Sequence, residues 1–528
     1  MLGQLRATRP AILVLLTSVL SVSLSAQTRL WRPDERVLLS DFSWVTAVAA
    51  SNWRVYAATR HGLLIYDRGA QAWRAPVTAL DGYPESLALV ALADVTGNAV
   101  WLGLTDGWAR YDEDLNRWER GYVAGGVRGL MLDNQDLAGG VYLRGPSGWA
   151  HLSRGALSPD PGPARLPPGN ARVTTIDPET ALQQSPSASA FRSLMLTDRR
   201  LQSHRFTAAS NAPLQHELYL GTDGIGLIKM EDISGQWDVL SYGLLQSRAD
   251  AVAAGARGVW VAGTAYGGER RGLTWLPEDL SSTTYLESAV GFGSAEVRRM
   301  LGVGDVMWVA TNAGLFRVRT SGAGDMRRFD LGSGLASEDV RCLAPAPDGV
   351  WVGTAHGLSI VTADDRVTNF GSGGTTILSL LQVRESLWVG SAAGLALLAP
   401  GENAPRFVDA DAALRSPIVA LARVGDTLVA ATADQLAWRD PAGGQWTLMR
   451  PGASSVGAIT VLAADQGGVW VGGSIGLAFW SIGRSTFRSL RVPGDLPATI
   501  RDLIALPPYV WVATDSGLVR LRRDAVRP

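Results

Sequence analysis

Several residue types that build common functional sites are almost missing from this sequence. Among its 528 residues Cys342 is the only cysteine, so no disulfide can form within the chain. The five histidines form no HExxH motif or close pair of the kind that binds zinc. A formal net charge of −1 argues against the basic surface that nucleic-acid binders need. We therefore predict no metal, no cofactor and no nucleic-acid partner.

Long apolar runs are also missing, apart from one at the N-terminus. Residues 11–22 form an apolar run of about a dozen residues, which follows Arg6 and Arg9 and precedes small residues ending at Ala26. This pattern predicts a signal peptide over residues 1–26, with an uncleaved N-terminal anchor as the alternative. No run reaches the roughly 18 residues of a transmembrane helix, and no cysteine follows residue 26 to carry a lipid anchor. We predict a periplasmic or extracellular protein without a transmembrane span.

Glycine (60 residues) and tryptophan (19 residues) are abundant and recur in one phrase. The phrase is Val350-Trp351-Val352-Gly353-Thr354 followed by Gly357-Leu358, with a spacing close to 41 residues. The other copies centre on Tyr56, Trp101, Tyr142, Tyr219, Trp260, Trp308, Trp388, Val429, Trp470 and Trp511. Between Tyr142 and Tyr219 there is room for one degenerate copy. Repeats therefore fill the chain after the signal peptide.

One repeat contains four short strand patterns separated by turns. Residues 340–344, 350–354, 358–361 and 366–370 are apolar or β-prone, and Gly357 stands where a tight turn favours φ > 0. Four antiparallel strands in about 41 residues are typical of a β-propeller blade. The repeats lack helical periodicity, which argues against a parallel α/β fold. A parallel β-helix is also disfavoured, because its coils are shorter than 41 residues. We predict an all-β propeller of about 11–12 four-stranded blades, with Trp351, Trp388 and Trp470 buried between blades.

The repeat also resembles a known family. Residues 334–340 (GLASEDV), 348–354 (DGVWVGT) and Gly357-Leu358 resemble the two-component-regulator propeller repeat. The resemblance implies a propeller like those of hybrid histidine kinase ectodomains and of some envelope proteins, including an assembly factor of the type IX secretion system. No β-sandwich or kinase sequence follows the repeats within these residues, so we do not transfer the kinase role.

About twelve blades exceed the four to eight of one ring, so we predict two rings. The first propeller would span residues 27–235 with about five blades, and the second residues 236–528 with about seven. In one closure scheme residues 37–40 complete the Tyr219 blade and residues 237–241 complete the Trp511 blade. In the other, residues 37–40 complete the Trp511 blade itself. We favour the first scheme because simple connections are commoner.

Three segments depart from the repeat or imitate catalytic and metal motifs. Residues 152–190 are proline-rich and predict an irregular insert. Residues 472–476 match Gly-x-Ser-x-Gly but lack the following helix of a nucleophile elbow. Residues 112–116 resemble a calcium loop but lack its glycine and its final glutamate. We predict no catalytic residues.

An enlarged turn over residues 265–271 is the best candidate for a binding site. Insertions on one face of a repeat array often build the binding face, and arginine and tyrosine dominate interface hot spots. All turns between second and third strands project to one face, so distant turns share a rim. The candidate residues for ligand or partner binding are Tyr266, Glu269, Arg270, Arg271, Asn312, His356, Asp434 and Asp515.

The function hypothesis is an exported, non-enzymatic binding or scaffold module. Its partner would be an envelope protein, a glycan or a small ligand. The alternatives are a propeller-fold enzyme that acts on polysaccharide, as lyase or hydrolase, and a detached sensor domain of a signalling system.

Overall fold

Each of the eleven repeat copies becomes a small antiparallel sheet. The computed structural model describes residues 31–94, 98–133, 140–160, 175–185, 191, 194–198, 200–212, 216–267, 269–287, 295–321, 325–408, 412–439, 444–450, 455–482 and 487–526. Within them eleven sheets form, eight of them four-stranded, and we number the sheets in chain order. The all-β fold class is confirmed. The predicted signal peptide, residues 1–26, lies outside the described residues.

The first strand and sheets 1 to 4 occupy the N-terminal part of the chain. The first strand is β1 (Arg36–Leu39). Sheet 1 contains β2 (Val45–Ala50), β3 (Arg54–Thr59), β4 (Gly62–Asp67), β5 (Ala72–Trp73) and β6 (Val77–Thr78). Sheet 2 contains β7 (Ala88–Ala93), β8 (Ala99–Leu104), β9 (Gly107–Asp112) and β10 (Arg117–Tyr122). Sheet 3 contains β11 (Gly129–Leu132), β12 (Val141–Gly145) and β13 (Gly148–Leu152). Sheet 4 contains β14 (Thr175–Ile176), β15 (Met195–Thr197), β16 (Ser203–Asn211), β17 (Glu217–Thr222), β18 (Leu227–Glu231) and β19 (Trp237–Leu240).

Sheets 5 to 11 follow with a more regular repeat. Sheets 5 and 6 contain β20 (Ala251–Gly255), β21 (Gly258–Ala262), β22 (Gly272–Pro277), β23 (Thr284–Glu287), then β24 (Val297–Val303), β25 (Val306–Thr311), β26 (Gly314–Arg319) and β27 (Met326–Phe329). Sheets 7 and 8 contain β28 (Val340–Ala346), β29 (Gly349–Thr354), β30 (Gly357–Thr362), β31 (Val367–Phe370), then β32 (Ile377–Val383), β33 (Ser386–Ser391), β34 (Gly394–Leu398) and β35 (Arg406–Phe407). Sheets 9 and 10 contain β36 (Ala420–Val424), β37 (Thr427–Ala431), β38 (Leu436–Arg439), β39 (Trp446–Met449), then β40 (Ile459–Asp465), β41 (Gly468–Gly473), β42 (Gly476–Ser481) and β43 (Phe487–Arg491). Sheet 11 contains β44 (Ile500–Leu506), β45 (Tyr509–Thr514) and β46 (Gly517–Arg522).

The second strand of each sheet is apolar because neighbouring sheets cover both of its faces. Trp351 and Trp470 are buried in β29 and β41, as predicted, whereas Trp388 in β33 is only partly buried. The predicted positive φ is confirmed at Gly357, where φ is 138°. Gly476 serves close packing instead, because a Cβ there would lie 2.4 Å from the carbonyl oxygen of Leu490. Both glycines let the turn approach the sheet more closely than an alanine would.

Seven consecutive sheets close into a cycle. The innermost strands of sheets 5 to 11 contact one another in order, and β44 of sheet 11 returns to β20 of sheet 5. At that junction the Val252 amide donates to Asp502 Oδ2 over 3.1 Å, and the Ala249 amide donates to the Thr514 carbonyl over 3.0 Å. In the other group β16, β2, β7 and β11 contact one another in that order. The division into propellers over residues 27–235 and 236–528 stays a prediction.

The favoured closure scheme is wrong. Strand β1 pairs with β46, so residues 36–39 complete sheet 11, and β19 completes sheet 4 by pairing with β18. The second scheme has this pairing. All four residues of β1 are buried in its position as the outer strand of sheet 11. The first strand therefore belongs with the C-terminal sheets.

The irregular insert contains a short helix that the repeat pattern did not predict. Helix α1 (Pro178–Gln184) begins at Asp177, whose carboxylate accepts hydrogen bonds from the amides of Glu179 and Thr180. Asp followed by Pro is a recognisable start signal for a helix. Helix α2 (Arg523–Val526) and three 3-10 turns (Ala79–Asp81, Leu331–Ser333 and Ala412–Arg415) are the other helical pieces described. In the described part of the chain no helix has the length and apolar character needed to cross a membrane.

Candidate functional site: two adjoining clefts

The enlarged turn of the sequence analysis is a distinct loop in sheet 5. It runs over residues 263–271 between β21 and β22, whereas residues 312–313 alone connect the equivalent strands β25 and β26 of sheet 6. We call residues 263–271 the sheet 5 loop; Gly268 lies outside the described residues. The loop lies where sheet 5 meets the N-terminal sheets, so it borders both groups.

A cleft of about 490 Å³ opens beside this loop. We call it the junction cleft, because it is lined by the segment before sheet 1 together with sheets 1, 4 and 5. Its lining residues are Asp41, Ser43, Trp44, Arg60, His61, Arg200, Gln202, His204, Asp223, Gly224, Ser247, Tyr266, Glu269 and Arg270. Three of the predicted site residues, Tyr266, Glu269 and Arg270, are therefore brought together.

Glu269 holds the loop in shape. Its Oε2 accepts a hydrogen bond of 2.8 Å from the Tyr266 amide. Its Oε1 accepts one of 3.1 Å from the Ser247 amide and one of 2.6 Å from the Ser247 hydroxyl. Gln246 fastens the other side of the loop by donating to the Arg270 carbonyl over 2.7 Å. The carboxylate of Glu269 is thus largely engaged within the protein, and its main role is to position Tyr266.

Arg270 is anchored in the same way. Its Nε lies 3.1 Å from Glu287 Oε2, a second nitrogen of the guanidinium binds the other carboxylate oxygen, and its Cζ stands 4.6 Å from the ring centre of Tyr285. Burial lowers the pKa of Arg270, but the Glu287 carboxylate outweighs burial and raises it. Arg200 approaches the same carboxylate at 3.7 Å and so links sheet 4 to sheet 5.

The opposite wall presents an aromatic ring and a buried acid. Trp44 is 39% exposed, and the guanidinium of Arg60 stacks 3.6 Å from its ring centre. Asp41 is partly buried and accepts the Ser43 amide over 2.8 Å. Burial raises the pKa of Asp41 despite that hydrogen bond. This wall offers one partly exposed aromatic ring and one carboxyl group whose charge is disfavoured.

A histidine and two acids close the sheet 4 side of the cleft. His204 Nε2 lies 3.3 Å from Asp198 Oδ2, and its Nδ1 lies 3.6 Å from Asp223 Oδ1. Burial raises the pKa of Asp198, but hydrogen bonds from Gln202, His204 and Arg200 outweigh burial and lower it to about 2. Asp198 is therefore a fixed negative charge that orients the ring of His204.

The other predicted site residues lie outside the junction cleft. Arg271 is exposed at the end of the sheet 5 loop. Asn312 Oδ1 accepts the Glu296 amide over 2.9 Å, and His356 Nδ1 lies 3.5 Å from the Ser337 hydroxyl. Asp434 accepts the Thr432 hydroxyl over 2.9 Å within its own turn. Asp515 pairs with Arg501 at 2.7 Å. A binding role for these residues stays a prediction.

Asp515 pairs with arginines of a second cleft, which has a volume of about 470 Å³ and lies at the centre of the seven-sheet cycle. We call it the mouth cleft. Its lining residues are Arg248, Asp250, Tyr266, Glu296, Val297, Arg298, Arg299, Arg341, Leu378, Thr460, Ile500 and Arg501, and Asp515 pairs with two of them. Tyr266 is shared by both clefts, and its hydroxyl lies 3.4 Å from the guanidinium of Arg248.

Sequence reasoning missed this gathering of arginines. Along the chain they are scattered, yet Arg298, Arg341 and Arg501 each follow the first apolar residue of an innermost strand. The shared place in the repeat was the available signal. Among the described residues no group of three or more His, Cys, Asp or Glu side chains is arranged to hold a metal ion.

The comparisons with known proteins bear on the fold alone. No family model and no curated protein matches the chain. Among solved structures, the extracellular domain of a putative one-component system from B. thetaiotaomicron is 12% identical, with 94% of this chain and 82% of that chain covered and a TM-score of 0.47. The extracellular domain of a putative hybrid two-component system from the same organism is 12% identical, with 91% and 68% covered and a TM-score of 0.30. Virginiamycin B lyase from Staphylococcus aureus is 12% identical, with 52% and 95% covered and a TM-score of 0.43. The resemblance to the two-component-regulator repeat family therefore stays a prediction.

Proposed function

We propose that this chain is an exported, non-enzymatic binding propeller that holds a sugar unit of a glycan in the junction cleft. The observation that carries the proposal is the placement of Trp44 and Tyr266, 39% and 54% exposed, in one cleft lined with ionic groups. Aromatic rings pack against the apolar face of a sugar, while fixed polar groups bind its hydroxyls. A cleft of about 490 Å³ suits a small ligand better than a protein surface.

The state of the acidic groups supports recognition over catalysis. Glu269 accepts three hydrogen bonds within the protein, and Glu287 is engaged by Arg270. A general acid or base needs a carboxyl group within reach of the substrate and free to exchange a proton. Locked carboxylates instead keep donors and acceptors in fixed positions, which favours selective binding.

A second candidate function, a polysaccharide hydrolase or lyase, is favoured by one observation. Burial raises the pKa of Asp41, and this carboxyl group lines the same cleft as His61 and Glu269. A carboxyl group with a raised pKa is the form that a general acid takes. A lyase would need tyrosine, histidine or arginine side chains that converge at one opening. Of the predicted site residues of these types, Tyr266 and Arg270 line the junction cleft, whereas His356 does not.

Export is part of the proposal and rests on the apolar run at residues 11–22. Expressed from its own start codon in a bacterial host, the protein should be recovered outside the cytoplasm and begin near Gln27. N-terminal sequencing of a cytosolic protein with an intact Met1 would contradict this part.

The binding proposal is tested by titration calorimetry with a panel of neutral and acidic oligosaccharides. Trp44→Ala should weaken binding by about tenfold or more, as truncation of a central aromatic contact does. Trp53→Ala is the matched control, because Trp53 is also exposed on sheet 1 but lies outside the cleft. If both variants and the native chain bind the oligosaccharide with equal affinity, the junction cleft is not the binding site.

The same samples separate binding from catalysis. Prolonged incubation should release no shortened or unsaturated product if the protein only binds. Product formation that Asp41→Asn abolishes, with affinity retained, would establish the enzymatic alternative. Recovery of an envelope protein that Trp44→Ala still binds, with no oligosaccharide bound, would favour the scaffold role.

A further inference from the structure

Five sheets of the cycle carry the same irregularity at the channel. Where the innermost strand meets the second strand, the register of sheets 6, 7, 8, 10 and 11 shifts after the first residue. The residues left between the paired positions are Arg298, Arg341, Leu378, Thr460 and Arg501, and all five line the mouth cleft. A β-bulge re-aims the side chain of its extra residue. The repeat therefore directs three arginines to one opening.

Two carboxylates at the mouth cleft are each shared by two arginines, and Arg248 pairs with Asp250 as well. Asp339 lies 3.0 Å from Arg298 and 2.8 Å from Arg341. On the other side Asp515 lies 2.7 Å from Arg501 and 3.3 Å from Arg248. Each guanidinium carries five N–H donors, so one carboxylate shared by two guanidinium groups leaves donors over.

Part of the arginine N–H groups at the mouth cleft is buried away from water. Within the described residues, Nε of Arg341 is buried and has no hydrogen-bond partner, whereas Nε of Arg298 lies 3.0 Å from Asp339 Oδ1. The two side chains as a whole remain 37% and 34% exposed, so their outer nitrogens face the cleft.

One acidic side chain next to these arginines is buried. Asp502 is buried under the cleft, 3.8 Å from Arg299, and accepts the Val252 amide. Burial raises the pKa of Asp502 although Arg299 opposes the change. Asp502 is thus set apart from the cleft by its burial and lies next to Arg299.

We infer that the mouth cleft binds a carboxylate or sulfate group of an acidic oligosaccharide whose neighbouring sugar lies in the junction cleft. This inference rests on the proposed function. Guanidinium groups bind planar and tetrahedral oxyanions through paired hydrogen bonds, which the bulged arginines are placed to supply. Tyr266 lines both clefts, so a chain leaving the junction cleft passes this ring and reaches Arg248 and its neighbours. That continuity favours a glycan over an acidic peptide.

The test compares three oligosaccharides of one length by titration calorimetry on the mature chain: a uronic acid oligomer, its methyl ester and a sulfated neutral oligomer. The acidic ligands should bind about tenfold more tightly than the ester, and added salt should reduce the difference. The stronger of the two acidic ligands identifies the preferred oxyanion. Arg298→Gln with Arg341→Gln should remove the difference while leaving ester binding unchanged.

The matched control is Arg327→Gln with Arg366→Gln. Arg327 lies on the outer strand β27 of sheet 6, and Arg366 directly precedes the outer strand β31 of sheet 7. They pair with Asp365 and Asp364, and the change in net charge is identical. Equal thermal unfolding midpoints would show that both double variants are folded.

The outcomes separate this inference from the proposed function. Ester binding that depends on Trp44, with no gain for the acidic ligands or with a gain that survives Arg298→Gln/Arg341→Gln, would overturn the mouth site alone. Absence of binding to every oligosaccharide would overturn both. A glutamate peptide that binds through these arginines while the acidic oligosaccharides do not would also overturn the inference.

Discussion

Leu39 of the first strand pairs with Leu518 of the last strand, across almost the whole length of the chain. The two residues are fully buried. A Cβ atom on Gly517 would lie only 2.1 Å from the carbonyl oxygen of Leu39, so only glycine fits at this position. The N-terminal strand thus closes the sheet that the C-terminus leaves incomplete. The pair completes sheet 11, whose innermost strand β44 contacts β20 of sheet 5.

This closure predicts a large effect of a small change near the N-terminus. Leu39→Ala should lower the free energy of unfolding by about 2–5 kcal/mol, because it leaves a cavity in a buried sheet. Leu115→Ala, at a side chain that is 69% exposed, should change it by less than about 0.5 kcal/mol. Urea unfolding followed by tryptophan fluorescence measures both. A Leu39→Ala value as small as that of the control would mean that β1 is not part of sheet 11.

The repeat aromatics should differ in their contribution to stability. Trp470 is fully buried, donates from Nε1 to Asp465 over 3.0 Å and lies 5.0 Å from the ring of Phe479. Trp470→Ala should cost about 3–5 kcal/mol. Trp388 is only partly buried, so Trp388→Ala should cost clearly less. Urea unfolding measures both losses of stability. A larger loss for Trp388→Ala than for Trp470→Ala would contradict the packing described for sheets 8 and 10.

The sheet 5 loop should loosen when the anchor of Arg270 is removed. Arg270→Gln abolishes the paired contact with Glu287, so chymotrypsin should cleave after Tyr266 faster than in the native chain. Arg271→Gln, at the adjacent exposed arginine, should leave the cleavage rate unchanged. Mass spectrometry of the early fragments identifies the cut. Equal rates in both variants would show that Glu269 and Gln246 hold the loop without the Arg270 side chain.

Acid should weaken the sheet 4 side of the junction cleft through Asp198. Its pKa of about 2 in the folded protein lies below the ordinary value of 3.8, so the ionised form stabilises the fold. This stabilisation is complete above about pH 4 and is lost as the pH falls towards about 2. Asp198→Asn should therefore reduce the fall in unfolding free energy across that range. Parallel curves for the native chain and the variant would refute the assignment.

The sequence by itself determined the repeat, the all-β class and the positions of most strands. The reason is local: each sheet is built from hairpins between neighbouring strands, so its pairing follows from apolar runs and turns within about 41 residues. The enlarged turn was visible for the same reason, as an insertion relative to its neighbours. The start signal of α1 was present as well, in Asp177 and Pro178, but the search for repeats passed over it.

The tertiary structure alone decided which sheet β1 completes and where the clefts lie. Both closure schemes satisfied the sequence, because an unpaired terminal strand fits any incomplete sheet of the right length. The junction cleft joins Trp44, His204 and Tyr266, and the mouth cleft joins Arg298 and Arg501. Contacts between residues so far apart depend on how whole sheets pack around an axis, which no local pattern encodes.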